Sequence, residues 1–220
     1  MKLLADTADL DVIKELYSYA GMDGVTTNPS ILAKTGQDPR MVLQDIREWI
    51  HDDELHVQVI ADTAEGMVED AHAIVSLLGK DTFVKVPCVK EGYKAMKILA
   101  TEGIQVTGTA VYMPLQAWLA AKAGAVYTAP YINRIDNMGY DGIRVCKEIH
   151  EMFIKNEMKC GILAASFKNS QQILELAECG IAASTAAPDV IYNMMKNAAV
   201  DTAVDVFIKD WKKLTGRERF

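Results

Sequence analysis

Short β-rich runs alternate with amphipathic stretches of helical character along the whole chain, and no other feature restricts the fold as much. The strand candidates are residues 2–6, 23–27, 55–61, 82–87, 104–109, 125–131, 160–166 and 181–184. Between them, and after the last, lie helix candidates at 10–20, 41–50, 64–78, 91–101, 114–123, 140–156, 170–178, 189–196 and 200–214. In the stretch 64–78, Met67, Ala71, Ile74, Val75 and Leu78 fall on one helical stripe, and Asp62 or Thr63 stands ready to cap its first turn. Alternation of this kind implies a parallel sheet with helices outside it. Eight strands are the number that closes into a cylinder, so the expectation is an α/β fold: a (β/α)8, or TIM, barrel with an extra C-terminal helix. An open doubly wound sheet is the competitor. The 220 residues contain no linker or low-complexity tract and read as a single domain spanning 1–220.

Composition removes several classes of function. Half of the residues are hydrophobic and 24% are charged, which supplies a full core and rules out a disordered chain. A net charge of −7 argues against nucleic acid as a partner. Asp6 breaks the N-terminal apolar stretch, so no secretory leader is expected, and no run is long enough for a membrane span. The expected setting is cytoplasmic, without a membrane partner. Cys88, Cys146, Cys160 and Cys179 lack Cys-x-x-Cys spacing and read as plain core or surface thiols. His51, His56, His72 and His150 form no metal-binding pattern, so no metal is expected. The absence of a glycine-rich phosphate loop leaves no nucleotide cofactor indicated, and the reading is cofactor-free. Eleven methionines are expected mainly as core filler.

Strand parity carries the functional information, because side chains alternate across a strand. Phe83, Lys85 and Pro87 share one face, with Val84 and Val86 on the other. His56 and Gln58 oppose Val57 and Val59; Thr107 and Thr109 oppose Val106 and Gly108; Tyr127, Ala129 and Tyr131 oppose Val126 and Thr128. With the branched apolar parity against the helices, the cylinder interior receives Asp6, Gln58, Lys85, Thr109 and Ser166. A purely structural interior is filled by branched apolar side chains. Lys85 is then either a buried amine with a depressed pKa, suited to Schiff-base formation, or an edge-strand lysine in solvent.

Context extends this reading. The run Gly24-Val25-Thr26-Thr27-Asn28-Pro29-Ser30-Ile31-Leu32 matches the signature of the transaldolase family. It stands with Asp6 in Ala-Asp-Thr-Ala-Asp, Val84-Lys85-Val86-Pro87, Gly108-Thr109-Ala110-Val111-Tyr112, Ala129-Pro130-Tyr131-Ile132-Asn133-Arg134-Ile135-Asp136 and Ala164-Ala165-Ser166-Phe167-Lys168. End to end the chain resembles that family, and most closely its small branch, the fructose-6-phosphate aldolases.

The resemblance implies that Lys85 attacks the sugar ketone, that Asp6 accepts a proton or orients hydroxyls, and that Thr26 and Asn28 line the pocket. Transaldolases proper carry glutamate on strand three and phenylalanine after strand six. Gln58 and Tyr131 are instead the aldolase pattern: Gln58 and Thr109 position a water, and Tyr131 relays a proton. Arg134, Ser166 and Lys168 resemble the phosphate group of the family. The implied activity cleaves or forms fructose 6-phosphate from dihydroxyacetone and glyceraldehyde 3-phosphate. Transfer of the dihydroxyacetone unit between sugar phosphates is the alternative, and a barrel that binds sugar phosphate without turnover is a third reading.

Plainer roles remain open for several of these residues. Asp6 could cap a helix beginning near Ala8, Arg134 could pair with Asp136, Lys168 could be solvated, and Tyr131 could serve packing alone. Pro29 is read as opening the next helix. Val89, Tyr93, His56 and Thr107 depart from the family pattern and bear on substrate preference; residues 184–188 diverge as well. The amphipathic stretch 200–214, with Val204, Phe207, Trp211 and Leu214, is implied to pack on a neighbouring subunit of a homo-oligomer, a pentamer or decamer. The competing role is closure of its own barrel.

Overall fold

The computed structural model describes all 220 residues. Eight strands, β1 (Lys2–Asp6), β2 (Gly24–Thr26), β3 (Glu54–Gln58), β4 (Phe83–Pro87), β5 (Val106–Val111), β6 (Tyr127–Pro130), β7 (Gly161–Ala164) and β8 (Ala183–Ala186), close into a barrel in sequence order. Every neighbouring pair is parallel, and β1 pairs with β8 through Lys2–Ala183 to Ala5–Ala186. Closure settles the choice against an open sheet, and it removes the edge on which a solvent lysine could sit.

The helices α1 (Leu10–Tyr19), α3 (Pro39–Ile50), α4 (Ala64–Leu78), α5 (Lys90–Thr101), α6 (Pro114–Lys122), α8 (Gly142–Lys155), α9 (Ser170–Cys179) and α10 (Pro188–Met195) wrap the cylinder. Two short helices, α2 (Pro29–Ala33) and α7 (Ile132–Asn137), follow β2 and β6; both are too short for periodicity to reveal, and only the first was signalled, by Pro29. Pro29 opens α2 at its first turn, and Asn28 Oδ1 accepts the Ile31 N–H as its cap. Thr63, rather than Asp62, caps α4 by accepting from Gly66 N. Asp9 caps α1 through Asp11 N and Val12 N, so the capping role considered for Asp6 is taken by another residue.

Two apolar layers lie outside the strands. Val84, Val86, Val106 and Val111 pack with Met96, Leu99 and Ala120, while Val25, Leu55 and Val57 pack with Ile13, Leu43 and Ile46. The apolar interior is small: Leu4, Tyr127, Leu163 and Ala183 form one plug. Methionine contributes less to the core than expected. Met22, Met67 and Met96 are buried, whereas Met1, Met41, Met113, Met138, Met194 and Met195 are exposed.

Beside that plug, at the N-terminal end of the cylinder, lies a polar knot. Lys2 Nζ and the Tyr127 hydroxyl both donate to Glu54 Oε1, and His56 joins Glu54 Oε2 (3.3 Å) to Thr107 Oγ1 (3.0 Å) while stacking on Phe83. The two departures on strands three and five are therefore partners of each other. Burial depresses the His56 pKa to about 4, against the opposing pull of Glu54. Burial resists ionisation of Glu54, yet hydrogen bonds from His56 and Lys2 bring it down to about 2.

The last helix, α11 (Ala198–Thr215), buries none of its residues. Val200, Val204, Phe207, Ile208 and Leu214 are exposed on it, so it does not close its own barrel. No helix is long and apolar enough to cross a membrane.

Candidate active site

The C-terminal ends of the strands carry the polar side chains, as expected of the face where barrel loops build sites. Lys85, in the middle of β4, is 5% exposed, and its Nζ donates to the Thr27 carbonyl at 2.7 Å. Burial pulls its pKa below the ordinary lysine value; the Asp6 carboxylate pulls it up and the Arg134 guanidinium pulls it down. A neutral amine can make the bond to Thr27 and keep its lone pair for a carbonyl carbon. Gln58 and Thr107 flank Lys85 on the adjoining strands at its own register.

Asp6, at the end of β1, accepts a hydrogen bond from Thr26 Oγ1 at 2.7 Å. Thr26 is also 2.6 Å from Thr185 Oγ1. A threonine hydroxyl has one hydrogen, so Thr26 spends it on the carboxylate and Thr185 donates to Thr26. Thr185 is a site neighbour that sequence reading missed. The strand expected at 181–184 in fact runs to Ala186, which turns Thr185 inward with Ala183.

On the opposite wall, the Thr109 and Tyr131 hydroxyls are 2.9 Å apart. Burial raises the Tyr131 pKa above that of an ordinary phenol, while Thr109 and Arg134 oppose the rise. Arg134 makes no ion pair with Asp136, whose oxygens accept from Gly142 N and Gln172 Nε2. Its guanidinium carbon instead stands 4.7 Å from the centre of the Tyr131 ring, a cation–π distance.

Tyr112 was also missed as a site residue. Its ring meets Tyr131 edge-on at 5.8 Å, and its phenol lies near enough to Arg134 to favour the charged guanidinium. The cause is a bulge in β5: Ala110 has φ +58° and the register shifts between Gly108 and Val111. The extra residue swaps the parity, so Val111 packs outward and Tyr112 joins the face of Thr109.

Ser166 follows β7 in a left-handed conformation, φ +62°, and its carbonyl accepts from Asn133 N at 2.8 Å. That bond ties the loop after β7 to the turn bearing Arg134. Lys168, on the same loop, is exposed, and its backbone N–H donates to Gln172 Oε1. Asn28 is more constrained than expected, since its carbonyl oxygen caps α2; its amide nitrogen and the second lone pair of that oxygen are left for a ligand. Two clefts flank the mouth. One of about 990 Å³ includes Asp6, Lys34, Asp189 and Tyr192. Another of about 640 Å³ borders Gln58 between α2, α3 and α4. Lys85 borders neither; its parity, opposite to Val84 and Val86, turns it to the inside of the cylinder.

The remaining departures are peripheral to this face. Val89 is the N-cap of α5 and makes no capping bond, having no side-chain oxygen. The Tyr93 hydroxyl reaches toward the Gln116 carbonyl on α6. All four cysteines are free, Cys88 and Cys146 buried and the others half-buried.

Comparison with known proteins gives a consistent picture. The sequence model of the family described as "Transaldolase/Fructose-6-phosphate aldolase" matches residues 3–218. A protein of Caldicellulosiruptor saccharolyticus, described as "Probable transaldolase", is 40% identical over 97% of this chain and 98% of its own length. A protein of Symbiobacterium thermophilum with the same description is 37% identical over 99% of this chain and 100% of its own. Among solved structures, one titled "Native KDPGal structure" superposes with a TM-score of 0.61 over 84% of this chain and 82% of that one, at 13% identity. At that identity the likeness shows the barrel alone.

Proposed function

Because the chain belongs to the transaldolase/fructose-6-phosphate aldolase family, we propose that it is a Schiff-base aldolase that cleaves or forms fructose 6-phosphate through dihydroxyacetone and glyceraldehyde 3-phosphate. The observation that carries the proposal is Lys85: an amine in a closed barrel, depressed by burial, held by one carbonyl and within the field of one carboxylate. Mere binding of a sugar phosphate does not need a buried nucleophile.

In this reading the Lys85 amine adds to the ketone carbon, water departs, and an iminium forms. Asp6 takes the proton from the hydroxyl on the fourth carbon as the bond between the third and fourth carbons breaks. The electron pair of that bond passes into the enamine, and glyceraldehyde 3-phosphate leaves. Tyr131 then returns a proton to the third carbon, with Gln58 and Thr109 holding the water of the relay. Hydrolysis of the iminium frees dihydroxyacetone and Lys85. Arg134, Ser166 and Lys168 hold the phosphate, Arg134 by paired N–H donors. Thr26 and Asn28 contact the sugar hydroxyls.

The transferase reading uses the same lysine but keeps the enamine until an aldose phosphate captures it; the relatives described as probable transaldolases support it. Gln58, which cannot ionise, and the Tyr131–Thr109 pair favour the aldolase. Borohydride reduction with dihydroxyacetone tests the chemistry: a mass adduct mapping to Lys85 is expected. No adduct, or one that survives Lys85→Met, supports a binding barrel instead. Assays with and without erythrose 4-phosphate separate the two activities, and transfer with no free dihydroxyacetone overturns the aldolase reading.

The same reading takes the protein as a cytoplasmic homo-oligomer, a pentamer or decamer, in which α11 lies on a second copy. Its support is an 18-residue helix with an apolar stripe and no buried residue. Sedimentation of Val204→Asp/Phe207→Asp is expected to give a smaller species; an unchanged mass refutes that part.

A further inference from the structure

We propose that Arg134 is a phosphate-operated control on the Tyr131 proton relay, so that a phosphoryl group bound at Arg134 slows protonation of the enamine and commits the three-carbon unit to an incoming phosphorylated aldehyde. This deepens the Schiff-base reading and rests on it. The geometry is specific. The guanidinium carbon stands 4.7 Å from the Tyr131 ring centre, and the Tyr112 ring meets Tyr131 edge-on at 5.8 Å, with its phenol near the guanidinium. The Tyr131 hydroxyl meets Thr109 at 2.9 Å on the side of the lysine wall. One cation therefore serves two purposes: it is the donor shaped for a phosphate, and it is the charge that makes the neighbouring phenol a better acid.

These purposes compete. With the phosphate position free, the whole guanidinium charge acts on Tyr131 and favours release of its proton. A dianionic phosphoryl group on the guanidinium cancels that field and turns the fork away from the ring. The groups facing Tyr131 are Thr109 and Tyr112 from β5 and its loop, Arg134 from α7 and Asp6 from β1. Only Arg134 among them is cationic, so nothing replaces the lost field.

When the phenol gives up its proton, the enamine electron pair forms the new C–H bond, and hydrolysis of the restored iminium discharges dihydroxyacetone. When the proton is withheld, the same electron pair attacks the aldehyde carbon. Tyr112 is a positioning residue here: its ring packs edge-on against Tyr131 beside Arg134 and acts on the relay through them.

The test follows deuterium exchange into dihydroxyacetone in heavy water by NMR, at saturating ketone, with inorganic phosphate or with chloride at matched ionic strength. Phosphate is expected to lower the maximal exchange rate about three- to tenfold, the range set by a cation–π contact of about 1 kcal/mol, with the KM for dihydroxyacetone unchanged. Tyr112→Phe is expected to lose most of this response, and Tyr131→Phe all of it on what exchange remains. A wild-type rate indifferent to phosphate, or a rise in KM alone, overturns the proposal; so does an undiminished response in Tyr112→Phe. The underlying reading fails separately, by showing no exchange under any condition and no borohydride adduct.

Discussion

The Lys85 amine nitrogen and the Thr27 carbonyl oxygen lie 2.7 Å apart, although 58 positions of sequence separate the two residues. The bond fixes the amine on the β2 side of the cylinder, where Asp6 and Thr26 form the adjoining wall. A single carbonyl gives back little of the hydration an ammonium loses, so the position favours the neutral base.

Asp6 and Lys85 are coupled with a definite sign. The Asp6 carboxylate holds the Lys85 pKa up against burial, so Asp6→Asn is expected to lower it further while preserving the hydrogen bond from Thr26. The acid limb of imine formation, followed by stopped-flow trapping, moves to lower pH in that variant. A limb that moves to higher pH refutes the coupling.

Val89 offers a stabilising change. Its backbone is extended (φ −122°, ψ 169°), as an N-cap requires, yet it presents no oxygen to the first turn of α5. Val89→Thr is expected to stabilise the fold by about 1 kcal/mol in urea titration. A destabilised variant shows that the Val89 side chain matters in another way.

Gly92 has no such latitude. A Cβ there would lie 1.9 Å from the Pro87 carbonyl oxygen, where α5 crosses the end of the strand bearing Lys85. Gly92→Ala is expected to cost about 3 kcal/mol. A midpoint of unfolding equal to wild type contradicts this close approach.

The His56 ring sets an acid sensitivity. Its folded pKa of about 4 lies below the ordinary 6.5, so the unfolded chain binds the proton first, and stability falls as pH drops from about 6.5 to 4. The full loss amounts to about 3 kcal/mol. Glu54 extends the decline below its ordinary value of 4.5 toward about 2, while Lys2 and Lys85, the cations nearest the ring, stay charged or rise in charge over that range. Denaturant titrations of His56→Phe are expected to show a flatter pH dependence between 6.5 and 4, whatever its stability at neutral pH. An unchanged slope assigns the acid sensitivity elsewhere.

The barrel was legible because alternation at period two separates Val84 and Val86 from Lys85 so cleanly. Once the branched residues are placed against helices, the polar parity has nowhere to go but inward. Legibility failed wherever one residue breaks the period. Ala110 adds a residue to β5 and brings Tyr112 to the site, and no composition signal marks a bulge at an alanine. Thr185 sits in a strand of small residues, Ala-Ser-Thr-Ala, whose end hydrophobicity cannot define. Pro29 marked the start of a helix, but the use of the Asn28 oxygen as its cap was not legible, since five residues are too few for periodicity to define the helix. His56 and Thr107, met as isolated departures, acquire meaning only as a bonded pair.

The detached state of α11 has a consequence for engineering and for evolution alike. Since the barrel owes none of its buried core to the chain beyond Asn197, that tail is free to drift in sequence, lengthen or be transplanted without rebuilding the catalytic cylinder. Under the proposed contact of α11 with a second copy, quaternary architecture is written in a detachable appendix and can change faster than the chemistry it surrounds.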